Sequence, residues 1–141
     1  MPRLLGIDYG ERRIGLALSD PSAMIAQPLT ALLRRRGKRP PFADIERVIR
    51  ENDVGELVVG LPLTSDGEES DWTRETRTFG DKLATRTGLA VHYQDERMTS
   101  ARAERVVRGI GLPKLEREQK GRVDAAAAAL ILQAYLDTRG S

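Results

Sequence analysis

LLGIDYGERRIGLALSD, residues 4–20, decides the architecture of this 141-residue chain. Leu4, Leu5 and Ile7 lead into Asp8. Gly10, Glu11 and Arg12 then supply a short turn, and Ile14, Leu16 and Leu18 alternate with Gly15, Ala17 and Ser19. Alternation of this kind marks a strand, and a three-residue turn between two such runs predicts an antiparallel hairpin. The strands are expected at 3–9 and 13–20, with Pro21 stopping the second. Asp8 then lies near the carboxyl end of the first strand, inside an otherwise apolar run. Acids are rarely buried unless they are paired or hold a cation, so this position calls for a chemical reason.

Working outward, a third strand is expected from Pro28 to Arg34, and Gly37 to Pro41 reads as a basic turn. Phe42, Ile45, Val48 and Ile49 share one helical face over residues 42–52. Glu56 to Leu61, bounded by Gly55 and Pro62, suits a buried central strand. Leu63 to Glu69 is a polar loop. Ser70 or Asp71 can cap a helix whose inner face is Trp72, Thr76, Phe79 and Leu83, with Gly88 ending it. Residues 89–94 read as another strand. Thr99 or Ser100 can cap a helix to about Arg108, Gly109 to Gln119 reads as a loop, and the last helix is expected at roughly 121–137.

A three-strand antiparallel start followed by alternating helices and strands gives one α/β domain, with helices on both faces of a mixed sheet. Right-handed crossovers place the fourth and fifth strands parallel to the first. The expected order is 3-2-1-4-5, the ribonuclease H-like arrangement.

In that topology Asp8, Asp95 and Asp124 approach one edge, where ligands of open parallel-stranded sheets gather. Asp95 follows the last strand. Asp124 is expected to open the last helix, in line with Ala127, Ala128, Ile131 and Tyr135, with the helix N-terminus favouring its ionised form. Converging carboxylates repel, and a hard divalent cation relieves the repulsion. Such ions activate water and stabilise a leaving oxygen in phosphodiester hydrolysis. Each acid has a plainer alternative. Asp8 can shape the hairpin, Asp95 can cap the turn before Thr99, and Asp124 can be an ordinary acid in the first turn of a helix. His92 is the sole histidine and reads as a partly exposed strand residue, so no histidine zinc cage or Ser–His relay can be assembled.

Composition sets outer limits. At 40% hydrophobic the chain can bury a sizeable single core. It has no cysteine, which excludes disulfides and thiolate metal sites and fits a reducing compartment. No signal peptide or spanning segment is read from the sequence. Formal charge is only +2, but basic residues cluster: Arg34, Arg35, Arg36, Lys38 and Arg39; Arg97, Arg102, Arg105 and Arg108; Lys114, Arg117, Lys120 and Arg122. Basic patches beside a carboxylate site would draw in a polyanion, although charge runs are also ordinary solvated faces. Gly109 to Gln119 reads as a flap from which Lys114 and Lys120 reach phosphates, or simply as a connector. Aromatics total 4%, which favours backbone and shape recognition over base stacking.

GIDYGERRIGLALSD, VVGLPLTSDG, QDERMTS and GRVDAAAAALIL, in that order along almost the whole chain, together resemble the YqgF/RuvX family. That family is also called Holliday-junction-resolvase-like or pre-16S rRNA nuclease. The resemblance implies a ribonuclease H-like fold and a cytoplasmic, Mg²⁺- or Mn²⁺-dependent nuclease. It matches Asp8, Asp95 and Asp124 to an acidic triad and Arg97 to the arginine of a DER segment. Gly60, Leu61, Pro62, Asp66 and Gly67 match its GLP and DG segments. Arg97 is then a phosphate contact or transition-state clamp, or instead an ion-pair partner of a neighbouring acid. Glu96 is a supporting or spare ligand, or an exposed side chain. True RuvC-type resolvases look to carry an extra acid on the fourth strand, where this chain has Leu61 and Pro62. They also carry one a turn along the last helix, where it has Ala127.

The expected substrate is structured RNA, with 5′-end processing of pre-16S rRNA implied by the resemblance. The rival substrate is branched DNA, cut as a Holliday junction. A junction resolvase would act as a homodimer, while an RNA trimmer could work as a monomer. Two other classes remain open: an ATP-dependent phosphotransferase, suggested by Asp8-x-Gly10 between two strands, and a non-catalytic nucleic-acid-binding adaptor.

Overall fold

A computed structural model describes residues 2–34, 39–99 and 117–139. β1 (Arg3–Tyr9) and β2 (Arg13–Ser19) form the expected hairpin, and β3 (Ala26–Leu33) pairs antiparallel with β2. α1 (Phe42–Glu51) leads to β4 (Val54–Leu61), α2 (Asp71–Thr87) leads to β5 (Ala90–Asp95), and a 3-10 turn (Glu96–Met98) follows directly. α3 (Arg117–Arg139) closes the chain. The sheet order is β3-β2-β1-β4-β5, with β4 parallel to both β1 and β5.

Strand alternation sends side chains to two separate cores. Leu5, Ile7, Tyr9, Ile14, Leu16, Leu57 and Val59 meet α1 and α2 on one face. Leu4, Ala17 and Val58 meet Ala127, Ala128, Ile131 and Leu132 of α3 on the other. Helices therefore cover both faces, as expected. Tyr9 stacks between Trp72 and Phe79, with ring centroids 5.3 and 4.2 Å away. Burial raises the pKa of its phenol above the ordinary value, while Arg34 over the ring opposes the shift.

The ends of the elements follow their chemistry. Ser70 caps α2: its hydroxyl accepts from the Thr73 N–H while the Thr73 side chain accepts from the Ser70 N–H. Gly88 ends that helix in a left-handed conformation, φ 74°.

β3 begins two residues earlier than expected, and the last helix differs more. α3 begins at Arg117 rather than near residue 121, because Arg117, Glu118, Gln119 and Lys120 are all good helix formers that carry it through Gly121. Lys120 thus stands in a helix rather than in a loop. Asp124 is two turns inside the helix, beyond the reach of its N-terminal dipole. The helix expected from Thr99 to Arg108, and Lys114, fall largely or wholly outside the described residues; at Thr99 itself the chain is extended, φ −134° and ψ 167°.

Candidate carboxylate site

The site is built on a gap in the sheet surface. Asp8 emerges on the α3 face of β1, 1% exposed. Its neighbour across β2 is Gly15. In the parallel register β1 residues through Ile7 pair with β4 residues through Val59, so one step further Gly60 flanks Asp8 on the other side. Neither glycine has a side chain to fill the space, and other elements use it.

Over Gly15 sits the backbone of α3. A Cβ at residue 15 would lie 2.0 Å from the Asp124 carbonyl oxygen, so only glycine allows the helix this close. This contact brings Asp124, 0% exposed, to the side of Asp8. The small Ala127 and Ala128 let the following turn lie against β1, where a Cβ at Gly6 would meet the Ala128 carbonyl oxygen at 2.9 Å. Asp124 finds a counter-charge there: Arg13 Nε donates to its Oδ2 at 2.5 Å. Arg13 reaches it from the start of β2, on the same face as Gly15.

Over Gly60 sits Glu96. A Cβ at residue 60 would meet Glu96 Oε1 at 2.6 Å and the Ile131 side chain at 2.5 Å. Glu96 is 2% exposed. The end of β4 carries no acid of its own, and the first residue after β5 places a carboxylate against it.

Asp95 is positioned differently. In β5, Tyr93 packs toward Gly80 of α2, while His92 stacks on Tyr135 of α3 with centroids 5.0 Å apart. Alternation within β5 puts Asp95 in phase with Tyr93, on the α2 side, while Glu96, the first residue of the 3-10 turn, lies over Gly60 on the α3 side. The Asp95 carboxylate accepts from the backbone N–H of Arg97 at 2.9 Å and from its guanidinium Nε and Nη2 at 3.1 and 2.8 Å. Those charge-assisted bonds raise the Arg97 pKa further. Arg97 also donates to the Ser65 carbonyl and lies against Gly67, tying the loop after β4 to the end of β5.

Asp124 is thus buried over Gly15, the β2 partner of Asp8, Glu96 is buried over Gly60, and Asp95 bonds to Arg97. Lys120 lies on the first turns of α3. From sequence Glu96 reads only as a supporting or spare ligand, and Arg13 is missed altogether. Their signal was the glycine pair at 15 and 60, which only register places on either side of Asp8. Among the described residues, no three His, Asp or Glu side chains are grouped closely enough to hold one metal ion as they stand. Asp124 faces Arg13 instead.

A ribonuclease H-like sheet with buried acids on its first strand, after its last strand and on its last helix is the class this geometry defines. The comparisons agree on the fold. The chain matches 100% of its length to 97% of a chain from "T. thermophilus RuvC in complex with Holliday junction substrate", with TM-score 0.57 and 17% identity. A second, "Thermus thermophilus RuvC structure", gives TM-score 0.55 at 15% identity, over 98% of this chain and 96% of that one.

The family is closer at hand. The RuvX model, described as Holliday junction resolvase, matches residues 2–138. A relative named "Putative pre-16S rRNA nuclease" from Koribacter versatilis is 45% identical over 138 residues, 98% of this chain and 88% of the relative. One of the same name from Anaeromyxobacter sp. (strain Fw109-5) is 46% identical over 97% of this chain and 98% of its own. The chain belongs to the RuvX family.

Proposed function

We propose that this protein is a divalent-metal-dependent nuclease that hydrolyses phosphodiesters of structured nucleic acid. Its main role on this reading is 5′-end processing of pre-16S rRNA in the cytoplasm. The observation that carries it is the burial of Asp8, Glu96 and Asp124 on one sheet face, in space vacated by Gly15 and Gly60. The RuvX match and the names of the relatives support the class.

The donor set fits a hard cation, because all three groups are carboxylates and buried carboxylates require positive charge. Asp8, Asp124 and Glu96 would hold it once Asp124 turns from Arg13. Mg²⁺ or Mn²⁺ bound there would supply a polarised water and charge stabilisation at the leaving oxygen. Asp8 is the fixed member, on a strand paired with Gly15 of β2. Asp124 and Glu96 approach it from the helix and the post-strand turn. Asp95 does not face this set. It orients the Arg97 guanidinium, which stands at the same strand ends as a candidate phosphate contact. Lys120 and Lys114 remain candidate backbone contacts, and RNA or DNA backbone alike would satisfy them.

Cleavage of a labelled pre-16S rRNA leader and of a synthetic four-way DNA junction, with Mg²⁺ and with Mn²⁺, tests the reading. We expect RNA cleavage by the wild type, and binding without cleavage by Asp8→Asn. Exclusive cutting of the junction would favour DNA resolution. Binding without cleavage by the wild type itself would leave a nucleic-acid adaptor, and ATP turnover by the pure protein would revive phosphotransfer.

A further inference from the structure

We propose that Arg13 is an exchangeable counter-ion: it holds Asp124 when no metal is bound, yields that carboxylate to the incoming cation, and turns its guanidinium to a substrate phosphate. This rests on the metal-dependent reading above and adds a coupling between metal and substrate that the reading does not contain.

The Arg13–Asp124 pair joins two side chains of unequal burial, 19% and 0% exposed. Asp124 lies over Gly15, the β2 partner of Asp8, so a cation taken up by Asp8 competes with Arg13 for the same carboxylate. A divalent cation and the guanidinium drawn to one carboxylate repel each other, most strongly where water is scarce. Arginine stays protonated at any working pH, so it cannot relieve the conflict by losing a proton and must move.

Only the side chain is free to do so. The Arg13 carbonyl accepts from the Gly10 N–H at 3.0 Å, and the residue is in register with Leu33 of β3. The side chain has somewhere to go. It already lines a hollow of about 520 Å³ between β3 and the first turns of α3, together with Thr30, Ala31, Gly121 and Arg122. A guanidinium released there stands beside Arg122 at the edge of the carboxylate site. Its planar fork suits bidentate capture of a phosphate. Linkage then requires metal to strengthen phosphate binding and phosphate to strengthen metal binding by the same factor.

Two measurements on the intact chain test this. In the first, the Arg13 Nε–H signal is followed by ¹⁵N NMR through a Mg²⁺ titration, assigned by its disappearance in Arg13→Lys. We expect slow solvent exchange of that proton without metal, and exchange faster by about tenfold or more at saturation, as its bond to Asp124 opens. In the second, Mn²⁺ affinity is read by EPR. Arg13→Gln should bind Mn²⁺ about tenfold more tightly than wild type, with Arg13→Lys between them. Should Arg13→Gln not fold, the NMR titration of the wild type and Arg13→Lys decide alone. Metal binding that leaves the Arg13 signal unmoved, or Mn²⁺ affinity unchanged or weakened in a folded Arg13→Gln, overturns the exchange and spares the nuclease reading. Absence of any Mn²⁺ binding to wild type overturns both.

Discussion

Glu96 and Asp95 are adjacent acids with opposite surroundings, and the difference is testable by swapping a single oxygen for nitrogen. Glu96 is buried against Gly60 on the Asp8 face; Asp95 is half-buried and bonded to Arg97. Glu96→Gln removes a charge from the proposed metal set and should lower cleavage by about 10²–10³-fold, the usual scale for one electrostatic group in an active site. Asp95→Asn loosens Arg97 instead, and should cost about 10–100-fold, as expected for a group that orients another. Single-turnover cleavage rates at saturating Mg²⁺ rank the two, and a larger loss at Asp95 would return that residue to the metal set. Gly15→Ala tests the frame beneath them. A Cβ placed 2.0 Å from the Asp124 carbonyl must push α3 off the sheet. We expect a stability loss of about 1–3 kcal/mol from overpacking, read by urea denaturation, together with loss of cleavage.

At the level of elements, the turn between β2 and β3 depends on one carboxylate. Asp20 accepts from the backbone N–H groups of Met24 and Ile25 at 2.8 and 2.9 Å, and from the Ser22 hydroxyl. These bonds, that from Ile25 foremost, lower its pKa to about 2. A depressed acid stabilises the fold above its unfolded pKa and loses that contribution as pH falls through the folded value. The turn should therefore hold near neutrality and loosen between about pH 4 and pH 2. Amide exchange at Met24 and Ile25 should rise in that window, and Asp20→Asn should show no such pH step.

Most elements were legible because each rests on local pattern: alternation in β1 and β2, the apolar run of β4, Ser70 and Gly88 bounding α2. The start of α3 was not, because Gly121 resembles a break while the residues before it are strong helix formers. The site was legible only in part. Asp8 and Asp124 are acids in apolar company, which a sequence shows. Whether Asp95 or Glu96 joins them turns on a strand's parity in its final residue, and Arg13 becomes a partner of Asp124 only through a contact spanning 111 positions.

For the whole molecule, a net charge of +2 is too small to steer nucleic acid from a distance, so binding must come from a few cations near the acids. Arg13 and Arg122 line the hollow beside α3, Lys120 precedes Arg122 on that helix, and Arg97 stands at the end of β5. Counterion release converts such contacts into a salt dependence: log K falls with log[salt] by about 0.7–0.9 per phosphate neutralised. Four contacts would give a slope of about −3 to −4, far shallower than that of a strongly basic protein. Measured by fluorescence anisotropy with Asp8→Asn, to prevent cleavage, the slope should lose about 0.7–0.9 in magnitude when Arg122 is changed to Ala. It should lose a similar amount for Lys120→Ala, and the change should apply equally to unrelated sequences, because phosphate contacts carry no base information. A slope unchanged in Arg122→Ala would move the substrate path away from the hollow, toward the Arg97 side of the sheet edge.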